Sequence, residues 1–405
     1  MVEKICVVVS NNLLYDSRVR KEAHSLSTLA KEVVVIAKKE SSLPEVESLS
    51  DKVRVKRIEN CFPSFPIRPK RWIPWYNLLR ALIKEKARIY HANDPDTLLA
   101  SYIASKVNRG KLVYDSHELW TSIPKKVSLR ERISHLFIRW IERFLAHRAE
   151  LVLATTPLRS KEMERTYKLK RTPLILLNCP PYKGVKKGKY FDRYKKEGGR
   201  IVLYLGGLQP GRGLFKAVEA IRELKGCKLI IMGPVPETYQ TFAHKLRDFI
   251  KKMKMEDRVI ILPPVPPDRV VDIASSADIG IIANQNINKN YFYSLPNKLF
   301  EYIQAELPVA VSNFPEMRKI VLKYNIGRVF DPEDPASIKE ALQEILQERV
   351  YKDCKRNLKK AKRVFNWERE ENKLKRAYQG ILFSSSESLR LLCASYEEET
   401  QATED

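Results

Sequence analysis

The segment Ile201-Val202-Leu203-Tyr204-Leu205-Gly206-Gly207-Leu208-Gln209-Pro210-Gly211-Arg212-Gly213 joins an apolar run to a glycine-rich turn, and residues 214–224 continue with helical periodicity. An unbroken apolar run bounded by glycine reads as a strand buried on both faces. Strand, glycine turn and helix, in that order, open a parallel α/β sheet. Glycines let backbone approach phosphate oxygens closely, and a helix N-terminus adds oriented N–H groups with partial positive charge. Arg212 would add a forked, permanently charged partner. The spacing is a near miss to a P-loop, with Arg212 in place of Lys and Gly213 in place of the Ser or Thr that holds magnesium, which argues against an ATPase. The turn also lacks GxGxxG, which argues against a dinucleotide enzyme. The plainer alternative is a turn that is glycine-rich only because it is tight.

The same α/β pattern can be traced twice. The first copy has a strand near 5–9, a loop at 10–16, a helix at about 17–29, and strands near 33–37, 53–58, 87–91 and 111–114. The second has strands near 201–205, 228–232, 259–262, 279–283 and 309–312. Residues 183–199, rich in Lys and Gly, read as the linker, which predicts domains at 1–182 and 200–365. A final amphipathic helix is expected over 366–383, with Leu374, Tyr378, Ile381 and Leu382 at helical spacing, and an acidic tail over 384–405.

Length and composition fit two full domains. The chain has 405 residues and a formal net charge of +25. The charge is uneven: residues 1–200 hold 42 Lys and Arg against 21 Asp and Glu, and residues 201–405 hold 32 against 28. Such a basic half attracts polyanions, whether an anionic membrane leaflet, a lipid-linked diphosphate or nucleic acid. The cysteines Cys6, Cys61, Cys179, Cys227, Cys354 and Cys393 are scattered, without a zinc-like spacing, as in a reduced cytoplasmic protein. The run Lys4–Ser10 is too short for a signal peptide, and no apolar run is long enough to span a bilayer.

The longest specific pattern is Ser294-Leu295-Pro296-Asn297-Lys298-Leu299-Phe300-Glu301-Tyr302, leading through Pro308-Val309-Ala310-Val311-Ser312 to Pro315-Glu316. Ser294 is expected to cap a helix that Pro296 enters. Lys298, Glu301, Tyr302 and Ala305 then share one face. The order Lys before Glu is the weaker one for a helix-stabilising ion pair, which favours a ligand-facing role. This stretch resembles the donor-sugar-nucleotide segment of retaining GT-B glycosyltransferases of family 4. The resemblance implies an α/β fold of two Rossmann-like doubly wound parallel-sheet domains facing a central cleft. It implies that Glu301 hydrogen-bonds the nucleotide ribose and that Gly206, Gly207, Arg212, Gly213, Tyr293, Ser294, Asn297 and Lys298 form the rest of the donor site. Many members carry a second Glu at the position of Tyr293, so the contact it makes to the sugar is open here. The family also has Arg just after the first glycine of the turn, where this chain has Gly207. Arg212 and Lys298 are then the cations left to neutralise the diphosphate. In the family the last helix crosses back onto the N-terminal domain.

On the acceptor side, Tyr114-Asp115-Ser116-His117-Glu118 follows a strand, where ligands bind in open α/β sheets. The resemblance makes His117 the histidine that faces the reacting sugar, and places Glu118 beside it. Asn11, Asn12 and Asp16, in the first loop, are further acceptor-side candidates, Asp16 alternatively capping the following helix. Asp94-Pro95-Asp96 matches a three-residue metal motif of another fold, but reads as a helix cap or an acceptor-side residue, with no metal required. Two segments are candidates for the membrane. The aromatic and cationic stretch 62–76 is the preferred anchor, and the apolar stripe of a basic helix at 130–148 is expected to be core packing.

The resemblance implies a metal-independent, retaining hexosyltransferase with a nucleoside-diphosphate sugar as co-substrate and no bound cofactor. The expected acceptor is a lipid-linked molecule or a glycan, and the expected setting is cytoplasmic, with an anionic membrane as a candidate peripheral partner and no nucleic-acid partner. A non-hydrolysing sugar-nucleotide epimerase of the same fold and a basic binding protein on a degenerate transferase fold are the alternatives.

Overall fold

The computed structural model describes residues 1–59, 72–120, 129–185, 187–195 and 198–382. The chain divides into two compact units, one formed by residues 1–177 together with the chain from Glu370 onward, the other by residues 178–369.

The first unit is built on β1 (Val2–Val8), β2 (Ala30–Lys38), β3 (Val46–Ser50), β4 (Val53–Ile58), β5 (Ile89–Asn93), β6 (Lys111–Ser116), β7 (Leu151–Ala154) and β8 (Leu174–Ile175). They lie in the order β3-β4-β2-β1-β5-β6-β7-β8. All pairings are parallel except β3 with β4, where the register shifts between Ser48 and Ser50. Central strands carry unbroken apolar runs because helices cover both faces, and Ile5 to Val8 and Val33 to Ala37 are fully buried. The strand order turns back between β1 and β5, the place where open α/β sheets bind ligands.

The second unit has β9 (Arg200–Leu205), β10 (Cys227–Met232), β11 (Val259–Leu262), β12 (Ile279–Ile282), β13 (Val309–Ser312) and β14 (Gly327–Phe330). They form an all-parallel sheet in the order β11-β10-β9-β12-β13-β14. Helices Leu214–Glu223, Gln240–Lys252 and Pro335–Leu346 share one core, with Val218, Ile221, Leu246, Ile338 and Leu342 buried against the sheet. Here the order turns back between β9 and β12.

Several expectations change. Residues 183–199 are not a free linker, and the division falls at 177/178. Gly188 N and Tyr190 N donate to Ser275 Oγ and Ser276 Oγ, both at 3.1 Å, and Phe191 is fully buried, so a Lys-rich composition hid a segment that packs on the second unit. Strands β3, β7, β8 and β14 are short or lie at an edge and left no clear alternation in the sequence. The helix expected from Ser294 is Asn297–Gln304, with Pro296 at the cap position; Ser294 Oγ instead donates to Tyr291 O at 2.7 Å.

The final helix, Trp367–Leu382, belongs to the first unit from Glu370 onward. Leu374, Ala377 and Tyr378 are fully buried there, Tyr378 Oη lies 2.5 Å from His91 Nδ1, and Leu177 N donates to Glu370 Oε2 at 2.9 Å. The acidic tail and residues 62–71 of the preferred anchor lie outside the described residues. The helix that follows, Trp72–Glu85, buries Leu78 and Leu82 in a core against which Trp75 packs. The second candidate, Leu129–Ala146, is corrected: Ile133, Leu136, Trp140 and Phe144 are exposed rather than packed in the core. Among the described residues no helix is long and apolar enough to cross a membrane.

Candidate functional site

In the second unit the glycine turn, the N-terminus of the helix Leu214–Glu223 and the helix Asn297–Gln304 converge at the carboxyl end of β9. Gly213 has φ +65°, and a Cβ there would stand 2.0 Å from Ala283 O, so only glycine lets the turn seat on the chain that follows β12. A Cβ on Gly233 would come 2.1 Å from Gly206 O, which keeps the turn pressed on the end of β10. Leucine 208 is buried beneath, and Gln285 N donates to Gly211 O at 2.9 Å. The turn is thus a fixed cradle whose helix begins with N–H groups lacking intrahelical partners.

Tyr302 decides where the second helix sits. Its hydroxyl donates to Leu203 O and accepts from Leu205 N, both at 2.9 Å, in the gap where β12 stops pairing with β9. A Cβ on Gly280 would meet the Tyr302 ring at 2.5 Å, so glycine in β12 opens the space for the wedge. Lys298 lies one turn before Tyr302 on the same face. Its Nζ therefore reaches Gly206, where a Cβ would be 3.0 Å away, and stands 3.7 Å from the centroid of the Tyr204 ring.

Lys298 is 7% exposed, and its Nζ has no hydrogen-bond partner among the described residues. Burial first, and Arg212 next, push its pKa well below the ordinary lysine value, while Glu301 acts the other way. Arg212 also lacks an ion pair among the described residues. Its Nη1 donates to Asn284 Oδ1 at 3.4 Å, and its Cζ lies 5.1 Å from the Tyr291 ring centroid. With its amide oxygen turned to the guanidinium, Gln209 accepts from Nη2 at 3.1 Å and from Nε at 3.2 Å. Asn284 is itself buried, and its Nδ2 has no hydrogen-bond partner among the described residues. Two cations and an amide donor, held by neutral groups beside a helix N-terminus, form a site complementary to a multiply charged anion.

Of the other expected donor-side residues, Glu301 is half-buried, Asn297 is exposed, and Tyr293 lies against Phe292 with ring centroids 5.8 Å apart. Tyr204, Gln209, Asn284, Tyr291 and Tyr302 were not among the expected residues. Tyr302 alone had a signal, its i,i+4 relation to Lys298; the rest are brought in by the fold.

In the first unit His117 follows β6 and lies between carboxylates. Its Nε2 is 3.0 Å from Asn93 Oδ1 and 3.2 Å from Asp115 Oδ2, and its Nδ1 is 3.5 Å from Asp94 Oδ2. Burial works against its charge, but Asp94 and then Asp115 outweigh it and hold the pKa up at about 10. Asp94 sits at the start of the helix Pro95–Val107 with φ +61°, yet its side chain does not cap. It accepts instead from His117 N at 3.0 Å and Trp120 Nε1 at 2.9 Å, so the helix-cap reading is corrected to that of a loop clamp.

Beneath His117 is a buried charge cluster. Arg18 donates to both oxygens of Asp115, at 2.8 and 2.9 Å, and stands 2.9 Å from Glu22. Burial alone would raise the Asp115 carboxyl, but Arg18 and then His117 hold it well below the usual range, while burial pushes Glu22 up to about 8. Glu22, His91 and Asp115 offer ligand atoms within 4.8 Å of one another. The Arg18 guanidinium already supplies the cation there, so the donor set does not fit a metal.

Asn11, Asn12 and Asp16 shape their own loop. Asn11 Oδ1 and Asn12 Oδ1 accept from Leu13 N at 2.8 Å and Leu14 N at 2.9 Å, and Asp16 caps its helix through Val19 N at 3.0 Å. Glu118 is exposed.

Comparison with known proteins agrees with both units. Residues 18–180 match the model of Glycosyltransferase Family 4, and residues 186–364 match that of Glycosyl transferases group 1. The chain therefore carries the two domains of this glycosyltransferase group, in that order, on a GT-B fold. A D-inositol 3-phosphate glycosyltransferase of Acidothermus cellulolyticus is 25% identical over 178 residues, which are 42% of this chain and 38% of that one. An alpha-D-kanosaminyltransferase of Streptomyces kanamyceticus is 21% identical over 258 residues, 61% of this chain and 64% of that one. The matches thus span 38% and 64% of the length of these two curated relatives. Among solved structures, sucrose-phosphate synthase of Thermosynechococcus elongatus has a TM-score of 0.77 at 16% identity, over 95% of this chain and 100% of that chain. The Anabaena protein HepE, in complex with UDP and glucose, has a TM-score of 0.73 at 14% identity, again over 95% and 100%.

Proposed function

We propose that the chain transfers a hexose-type sugar from a nucleoside diphosphate to a lipid-linked or glycan acceptor, with retention of anomeric configuration and without a metal. The observation that carries this reading is Lys298, a buried amine whose Nζ has no hydrogen-bond partner among the described residues, set with Arg212 beside a glycine turn at a helix N-terminus. A diphosphate supplies the charge both cations lack. As the bond to the sugar breaks, negative charge grows on that diphosphate, and donors fixed in advance stabilise the transition state more than the ground state. Asn284 Nδ2 is placed to add a neutral hydrogen bond, and Glu301 takes the ribose. The acceptor hydroxyl approaches on the donor's front face, hydrogen-bonded to the leaving phosphate, and His117 acts on the acceptor side.

Uridine is the first base to test, because HepE was solved with UDP and with UDP-glucose. A panel of nucleoside-diphosphate sugars is screened by thermal shift, and the released nucleotide is measured by mass spectrometry with and without a membrane lipid extract. One donor should stabilise the fold and be consumed only with extract. Lys298→Met and Arg212→Ala should lower turnover about 100- to 1000-fold, as loss of a fixed electrostatic donor does. Glu301→Ala should mainly weaken nucleotide binding. Isomerised donor without extract would turn the reading to an epimerase, and unchanged turnover in Arg212→Ala would contradict the site.

A further inference from the structure

The helix Leu129–Ala146 presents an apolar ridge that nothing among the described residues covers. Ile133, Leu136, Trp140 and Phe144 follow one another at helical steps, so they share one face. They are 54, 53, 61 and 43% exposed. Phe137, Trp140 and Phe144 stack in sequence, with ring centroids 6.4 and 5.7 Å apart, and extend the ridge as an aromatic surface.

The helix cannot turn this face inward, because the opposite face is fixed. Ile141, Leu145 and Ala146 are buried, and the buried Glu142 carboxylate accepts from Tyr114 Oη at 2.6 Å and from Tyr167 Oη. Rotation would break both hydrogen bonds and leave a carboxylate and two tyrosines unsatisfied in the core.

Cations flank the ridge. Arg132, Arg139, Arg143 and Arg148 are exposed, and Arg148 Cζ lies 3.5 Å from the centroid of the Phe144 ring. Among the described side chains of the helix, the carboxylate, Glu142, points into the core. A second copy of this chain would set arginines against arginines in a symmetric contact. An anionic lipid surface instead accepts aromatic side chains at headgroup level and offers phosphates to the flanking guanidiniums. The surrounding half-chain has twice as many basic as acidic residues, 42 against 21, which adds long-range attraction to the same surface.

We propose that the Ile133–Leu136–Trp140–Phe144 face is a membrane-docking surface, which seats the first unit on an anionic bilayer without spanning it. The surface is independent of the donor site, so its test needs no nucleotide sugar. Full-length protein is sedimented with phosphatidylcholine vesicles, with and without phosphatidylglycerol, and Trp140 depth is read by quenching with brominated lipid. The expected result is binding to the phosphatidylglycerol vesicles, with quenching lost in Trp140→Phe. Leu136→Glu with Trp140→Glu should reduce binding roughly tenfold or more, since two apolar contacts become repelled charges. Arg139→Glu with Arg143→Glu should abolish only the dependence on phosphatidylglycerol. Circular dichroism and melting temperature of each variant confirm that the helix stays folded, as exposed positions allow. Equal vesicle binding by parent and apolar variant overturns the proposal. So does a parent that ignores vesicles but forms dimers that Leu136→Glu with Trp140→Glu dissociates.

Discussion

Lys298 stands in a place where the protein alone disfavours its charge. Burial and the neighbouring Arg212 lower its pKa in the free protein, and the proposed diphosphate would restore it towards the usual value. Binding must then take up a proton wherever the free lysine is neutral. The sign follows by linkage: nucleoside-diphosphate affinity falls as pH rises through the lowered pKa, and the fall ends where the bound-state pKa is passed. Calorimetric titration with UDP in buffers of different ionisation heat should show proton uptake on the alkaline side in the parent and none in Lys298→Met. Uptake that persists in Lys298→Met would assign the proton elsewhere. His117 shows the opposite environment, since Asp94 and Asp115 keep its proton in place.

At the scale of elements, the proposed donor site depends on one wedge. Tyr302 fills the gap between β9 and β12 and satisfies Leu203 O and Leu205 N, and Gly280 leaves room for its ring. Tyr302→Phe keeps the ring but removes both hydrogen bonds, so stability should fall by about 1–3 kcal/mol. Because Lys298 rides on the same helix, nucleotide affinity should fall with it. Chemical denaturation and UDP titration of this variant check the two effects together. A loss of stability without any loss of affinity would show that the wedge does not position the lysine. The sequence pattern placed Lys298 and Tyr302 on one face, but could not say that this face enters the sheet. That depends on where β12 stops pairing with β9, a long-range property.

The whole molecule consists of two units, and the final helix belongs mainly to the first. Truncation after Arg369 removes the buried Leu374, Ala377 and Tyr378 and leaves His91 without its tyrosine. Unfolding of the first unit should then occur at markedly lower temperature, since losing several buried side chains costs a few kcal/mol each. The stabilisation by UDP proposed for the second unit should be the same in parent and truncated protein. Scanning calorimetry with and without UDP separates the two transitions. An unchanged first-unit transition would show that the helix is dispensable.

What the amino-acid sequence determined by itself was local and periodic. Unbroken apolar runs alternating with helical patterns defined two parallel α/β sheets, and the glycines at 206, 211 and 213 marked the turn after β9. The pattern around Lys298 and Glu301 marked the helix that faces it. What only the tertiary structure decided depended on residues far apart in the chain. The bracketing of His117 joins β5, β6 and Asp94, and the Arg18 cluster joins the first helix to β6 across 97 positions. The same holds for the helix Leu129–Ala146, whose apolar stripe has the same period whether it faces core or solvent. Its direction is set by the buried Glu142 and its two tyrosines, because an unsatisfied buried carboxylate costs more than an exposed hydrophobic ridge.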